Sequence, residues 1–183
     1  MEQTRFFQQT AFFIFVATAL FMTFKGQVGL TLIPAVAAIA YYHMLQRPDE
    51  VQLYRYADWT ITTPLMLAAI LYANRVPWGT IGALVLADVA MVYFGYKGAV
   101  EKDHSLKRRD FFLGCVAFVP IVYYLLKSKQ KKTAVYLTLI VWTLYPIVWY
   151  ANEVSVLSDK TTNSVYSVMD VCAKVGLVLL LHE

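Results

Sequence analysis

The sequence predicts an all-α membrane protein, a bundle of seven transmembrane helices. Two observations carry that prediction. Of 183 residues, 59% are apolar and only 15% are charged, against about 25% charged in an ordinary soluble domain, and the mean hydropathy is +0.53. The apolar residues are also gathered into long runs, close to the roughly 20 (about 17 to 25) residues that a helix needs to cross a bilayer core. The same composition excludes disorder, collagen and a disulfide scaffold, because Gly is 8, Pro is 6 and Cys is 2.

The runs follow one another with short breaks. Phe6–Phe24 comes after Arg5 and is too long and aromatic for a cleaved signal peptide, so it reads as a first span. Val28–Leu45 follows the break Lys25–Gln27, Leu53–Ala73 follows Gln46–Gln52, and Trp78–Tyr96 follows Asn74–Pro77. Asp110–Leu126 follows the charged connector Lys97–Arg109, Thr133–Asn152 follows Lys127–Lys132, and Thr162–Leu181 follows Glu153–Thr161. Together they use almost the whole sequence, so a single domain is expected, with no appended signalling domain: a multi-pass protein of the cell membrane whose first partner is the lipid bilayer. The net charge of +4 does not point to nucleic acid, because the cations sit in short clusters between apolar runs. Cys115 and Cys172 each lie inside an apolar run and read as packing residues, neither a disulfide nor a metal pair.

Five charges fall inside spans and away from their ends: Arg55, Asp58, Asp88, Asp170 and Lys174. A charge at the bilayer centre costs at least about 2.5–3.5 kcal/mol, so such residues face the bundle interior and pair. Arg55 and Asp58 are i, i+3 on one helix face, and Asp170 and Lys174 are i, i+4 on another. Two cations and three anions are therefore expected in one buried cluster. Charge alone fits a structural ion network or the coupling site of a transporter. The aromatic residues add a third reading. Trp59 adjoins Asp58, and Trp142, Tyr145 and Trp149 recur at i, i+3, i+7 around Pro146. Such a stripe is core packing in most helices; beside a buried amine able to form an imine, it also fits a pocket for a long, conjugated carbonyl ligand.

At these residues the sequence resembles the microbial (type 1) rhodopsins. Arg55-Tyr56-Ala57-Asp58-Trp59-Thr60-Ile61-Thr62-Thr63-Pro64-Leu65 is similar to their third-helix signature, Trp142-Thr143-Leu144-Tyr145-Pro146-Ile147-Val148-Trp149 to their sixth-helix retinal wall, and Asp170-Val171-Cys172-Ala173-Lys174-Val175-Gly176 to their seventh-helix Schiff-base motif. Pro34-Ala35-Val36-Ala37 and Tyr41 match the second helix. The resemblance implies that Lys174 holds all-trans retinal as a protonated Schiff base, with Asp58 as primary counterion and proton acceptor and Asp170 as second counterion. It places Arg55 on the extracellular side of the cluster, gives Asp58 a hydrogen bond from Thr62, and pairs Thr63 with Asp88. Trp59, Thr63, Met66, Asp88, Met91, Trp142, Tyr145, Pro146 and Trp149 would be the cofactor-binding residues that line the ligand. Ile39-Ala40-Tyr41-Tyr42-His43 matches the proteorhodopsin-like branch, in which a second-helix His bonds the acceptor carboxylate; otherwise His43 is an interfacial residue near a helix end. Phe112 falls where carotenoid-binding relatives use Gly, and a ring there argues against an antenna carotenoid.

The resemblance also sets the expected topology, with the N-terminus extracellular. Counting Lys and Arg alone gives six inside against eight outside, so the positive-inside rule does not add to it. Eleven residues after Asp58, where many outward pumps carry a cytoplasmic proton donor, stands Ala69. The expected function is a light-driven outward proton pump that lacks a carboxylate donor. A sensory photoreceptor and a light-gated cation channel are the alternatives. Glu153 and Asp159 are read as solvated loop acids, with proton release as the other possibility. Relatives assemble as trimers or pentamers, so a homo-oligomer is expected.

Overall fold

The computed structural model describes residues 2–182. Its helices in chain order are α1 (Glu2–Phe24), α2 (Val28–Gln46), α3 (Val51–Ala73), α4 (Trp78–Val100), α5 (His104–Lys127), α6 (Lys132–Glu153) and α7 (Asp159–His182), with a 3-10 turn at Pro48–Glu50 before α3. No strand occurs among the described residues. Each helix packs on the next, and α7 closes the ring against α1. Long side chains such as Phe13, Leu20, Leu86, Val119 and Ile140 are exposed on the outside, where hydrocarbon takes the place of water.

Every predicted span lies inside one helix; the connectors Lys25–Gln27 and Asn74–Pro77 match, and the other four predicted connectors are too long. The largest difference is Lys97–Arg109. α4 runs on to Val100, and α5 begins at His104. Asp103 sets that start: its side chain accepts from the backbone N–H groups of Ser105 (2.8 Å) and Leu106 (3.0 Å), satisfying two donors that a first turn otherwise leaves free. Charged residues end an apolar run without ending a helix, because beyond the hydrocarbon nothing opposes them.

Six helices are long and apolar enough to cross a membrane; α3 falls short. It carries Arg55 and Asp58 together with Thr60, Thr62 and Thr63. Of these, Arg55, Asp58 and Thr62 are buried, and α7 buries Thr162, Ser164, Ser167, Asp170 and Lys174, so both helices turn a polar face to the bundle interior. Up-and-down order puts the start of α1 and the α2–α3, α4–α5 and α6–α7 connections at one end of the bundle. The α1–α2, α3–α4 and α5–α6 connections and the end of α7 lie at the other.

Candidate functional site

Lys174 is 1% exposed and lies between two carboxylates that are equally buried. Its Nζ stands 2.5 Å from Asp58 Oδ2 and 3.2 Å from Asp170 Oδ1. The i, i+4 spacing on α7 brings Lys174 over Asp170, and α3 supplies Asp58 from across the interface. Asp170 is held by three neutral donors: Tyr41 Oη to Oδ2 (2.7 Å), Tyr145 Oη to Oδ1 (2.6 Å) and Trp59 Nε1 to Oδ1 (2.9 Å). Asp58 is held less: its Oδ1 has no hydrogen-bond partner among the described residues. Phe15 of α1 closes the cluster, its ring centroid 5.6 Å from Nζ.

The cluster is smaller than the five-charge arrangement expected. Arg55 is fully buried yet makes no ion pair among the described residues. Its Nη1 donates to Asn163 Oδ1 (2.5 Å), and its guanidinium lies 5.1 Å from the Tyr166 ring centroid, where the face of the ring offsets part of the buried charge. Asp88 is also apart: its Oδ2 accepts from Thr63 Oγ1 (2.7 Å), as the resemblance implied.

One end of the cluster opens into a cavity walled by rings. Four helices each present residues at i, i+3 or i+4, and i+7: Trp59, Thr63 and Met66 on α3; Met91, Gly95 and Gly98 on α4; Phe111, Gly114, Cys115 and Phe118 on α5; Trp142, Tyr145, Pro146 and Trp149 on α6. From α7 come Tyr166, Asp170, Ala173 and Lys174. Glycine on α4 is what lets the rings in: a Cβ at Gly95 would sit 3.1 Å from Tyr56 Cε1, and one at Gly98 would sit 3.4 Å from Trp149 Cζ2. A primary amine in the wall of a ring-lined apolar cavity suits a large apolar carbonyl compound, so these residues fit retinal.

Expected wall residues Trp59, Thr63, Met66, Met91, Trp142, Tyr145, Pro146 and Trp149 all line this cavity. Three expectations are corrected. Asp88 does not line it and reaches it only through Thr63. Thr62 Oγ1 donates to the main-chain carbonyl of Asp58 (2.9 Å), not to its carboxylate, the usual bond of a threonine one turn along a helix. His43 does not reach Asp58; it stacks on Tyr54, with centroids 5.0 Å apart and planes 13° apart. Tyr41 reaches the carboxylates from α2 instead, and two residues along a helix is a turn of about 200°. Phe112 is 65% exposed, and its neighbour Phe111 lines the cavity, stacked on Trp149 at 4.7 Å.

Sequence reasoning missed several residues. Tyr41 had been matched to a family motif without a role, and its 2.7 Å bond to Asp170 spans 129 positions that no local pattern links. Tyr166, one turn before Asp170 on α7, and Asn163, two turns before it, hold Arg55. Asp110 is 1% exposed, between Arg109 (2.8 Å) and Lys97 (3.8 Å), hidden from the reading because it began a run next to cations. Glu153 is no solvated loop acid: its side chain is 11% exposed and paired with Lys107 (2.6 Å) and His104 (2.9 Å). It lines a second, polar cavity with Gln52, Asn152 and Thr162, and Tyr56, Trp149 and Tyr166 stand in the walls of both cavities.

Fold and site together define a multi-pass membrane protein with an apolar ligand cavity ending on a buried lysine. The chain belongs to the bacteriorhodopsin-like protein family, which it matches over residues 3–183. Members of this family bind retinal through a lysine and are light-driven transporters or sensors, not enzymes. Archaerhodopsin-2 of Halobacterium sp. (strain aus-2) is 30% identical over 177 residues, covering 82% of this chain and 68% of that protein. The opsin-like protein carO of Fusarium fujikuroi is 32% identical over 179 residues, covering 90% of this chain and 58% of that protein, so the chain spans less than two thirds of that relative. The proton pumping rhodopsin AR2 of the marine alga Acetabularia acetabulum superposes with a TM-score of 0.91 at 25% identity, over 100% of this chain and 94% of its own.

Proposed function

We propose that this protein is a light-driven outward proton pump that carries all-trans retinal on Lys174 and has no carboxylate donor on its cytoplasmic side. The observation that carries the reading is Asp58 Oδ2 at 2.5 Å from Lys174 Nζ, with Asp58 Oδ1 unpartnered. Joined to Nζ, retinal supplies visible absorption and a light-driven change of shape. Lys174 Nζ holds the proton to be moved, and Asp58 Oδ2 is the acceptor in reach. Asp170 is the poorer acceptor, because Tyr41, Tyr145 and Trp59 already occupy its oxygens. It serves as the fixed anion that offsets the buried cation. Arg55, one turn from Asp58, is held by Asn163 and Tyr166, and Tyr166 also stands in the wall of the polar cavity that Glu153 lines.

Among the described residues, no carboxylate stands on α3 or α7 on the other side of Lys174. Ala69 lies among buried Leu67, Ile70 and Leu71, and α7 adds Leu177 and Val178. Recovery is therefore slow and dependent on proton supply. The same slow recovery suits a sensor, which makes sensing the second reading. We also propose an extracellular N-terminus and a homo-oligomer, a trimer or pentamer, both on the family likeness. Illuminated cells expressing the protein acidify an unbuffered medium, and a protonophore abolishes the change. Alkalinisation means inward transport. No pH change with a recovery of seconds means a sensor. Photocurrent that reverses with voltage means a channel.

A further inference from the structure

The two ends of the bundle differ in charge. At the end holding the start of α1, eight cations meet eight acids. At the other end stand Lys25, Arg75, Lys127, Lys129, Lys131 and Lys132, and no acid among the described residues; Glu183 lies outside them. The fold draws five of these six together. Gln130 N–H donates to Asn74 Oδ1 (2.8 Å), which ties the α5–α6 connection, with Lys129 and Lys131 on either side of Gln130, to Arg75. Lys131 Nζ reaches the carbonyl of Leu180 at the end of α7 (3.5 Å). Arg75 (φ 58°) and Lys131 (φ 45°) both adopt the left-handed conformation, an uncommon one for a side-chain-bearing residue.

We propose that this cationic end binds the headgroups of anionic phospholipids. The rings around it set the depth. Tyr72 (62% exposed) and Trp78 (69%) pack at 5.3 Å on either side of Arg75 in sequence, at the level where aromatic side chains meet the lipid interface. Lys127 folds back over the exposed ring of Tyr123, 4.2 Å from its centroid. Its ammonium therefore lies at headgroup depth instead of reaching into bulk water, which favours a lipid phosphate over a soluble acidic partner. This inference does not depend on the proposed pump.

The test is electron paramagnetic resonance of spin-labelled phosphatidylglycerol and phosphatidylcholine around the protein in phosphatidylcholine bilayers. Phosphatidylglycerol is preferred by at least about twofold at low salt, and the preference fades in 1 M NaCl, where the Debye length is about 3 Å. Changing Lys127, Lys129, Lys131 and Lys132 together to Gln removes it. Changing Arg5, Lys102, Arg108 and Lys160 to Gln removes the same charge from the opposite end and leaves it intact. Should the fourfold patch variant not reconstitute, Lys129→Gln with Lys132→Gln lowers the preference by about half. No preference in the parent, or equal loss in the two fourfold variants, overturns the proposal.

Discussion

Lys174→Ala removes the only cation that pairs with Asp58 and Asp170 among the described residues. Both side chains of the closer pair are all but inaccessible, at 2% and 0%. Removing one partner of such a pair leaves a buried charge uncompensated, at a cost of about 3–5 kcal/mol. A surface pair would cost about 0–1 kcal/mol, so the size of the loss reports burial. The second carboxylate, held by three neutral donors, cannot relieve the first. Asp58→Asn in the Lys174→Ala background should therefore recover at least about 2 kcal/mol of the loss. The assay is reversible unfolding of retinal-free protein in mixed micelles, followed by circular dichroism, for the parent, both single variants and the double. A loss below about 1 kcal/mol for Lys174→Ala, or a double variant no more stable than the single, refutes the buried-pair reasoning. Added retinal gives Lys174→Ala no visible band; a surviving band would misplace the covalent site.

Three further outcomes are expected. Asp58→Asn, given retinal, absorbs further to the red than the parent, because a negative charge beside Nζ is lost, and it no longer moves protons in the illuminated-cell assay. Ala69→Glu speeds recovery at alkaline pH by placing a proton donor among apolar residues; flash photolysis showing an unchanged decay would argue against a missing donor. Asp103→Ala frays the start of α5. The backbone N–H groups of Leu106 and Ser105 hold the Asp103 carboxyl below the usual range. The parent's cap is thus complete above the unfolded value of about 3.9 and lost as pH falls through the lower folded value. Faster hydrogen exchange at Ser105 and Leu106 in the variant at neutral pH checks it.

The span count and the site on α3 and α7 were legible because both are local patterns. Runs of the right length mark helices, and i, i+3 or i, i+4 pairs put Arg55 with Asp58 and Asp170 with Lys174. The stripe Trp142, Tyr145, Trp149 was legible for the same reason. Helix ends were less so: the Lys97–Arg109 stretch reads as a connector by charge, yet the Asp103 cap makes most of it helix. Glu153 stood at the edge of a run and read as solvated, and Asp110, the first residue of a run, drew no role. Their burial follows from cations on neighbouring helices, Lys97 and Lys107.

By itself, the sequence determined that seven apolar helices span a bilayer and that a lone lysine and several acids must turn inward, since hydrocarbon tolerates neither charge nor unpaired backbone. Which of those charges meet was decided only by the tertiary structure. Asp58 and Asp170 flank Lys174, whereas Arg55 rests on Tyr166 and Asp88 on Thr63. The choice of Tyr41 over His43 at the cluster was decided the same way. The reason is geometric: the period of a helix fixes which residues share a face, but only the rotation and depth of each helix against its neighbours fix which faces come within the roughly 3 Å of a hydrogen bond.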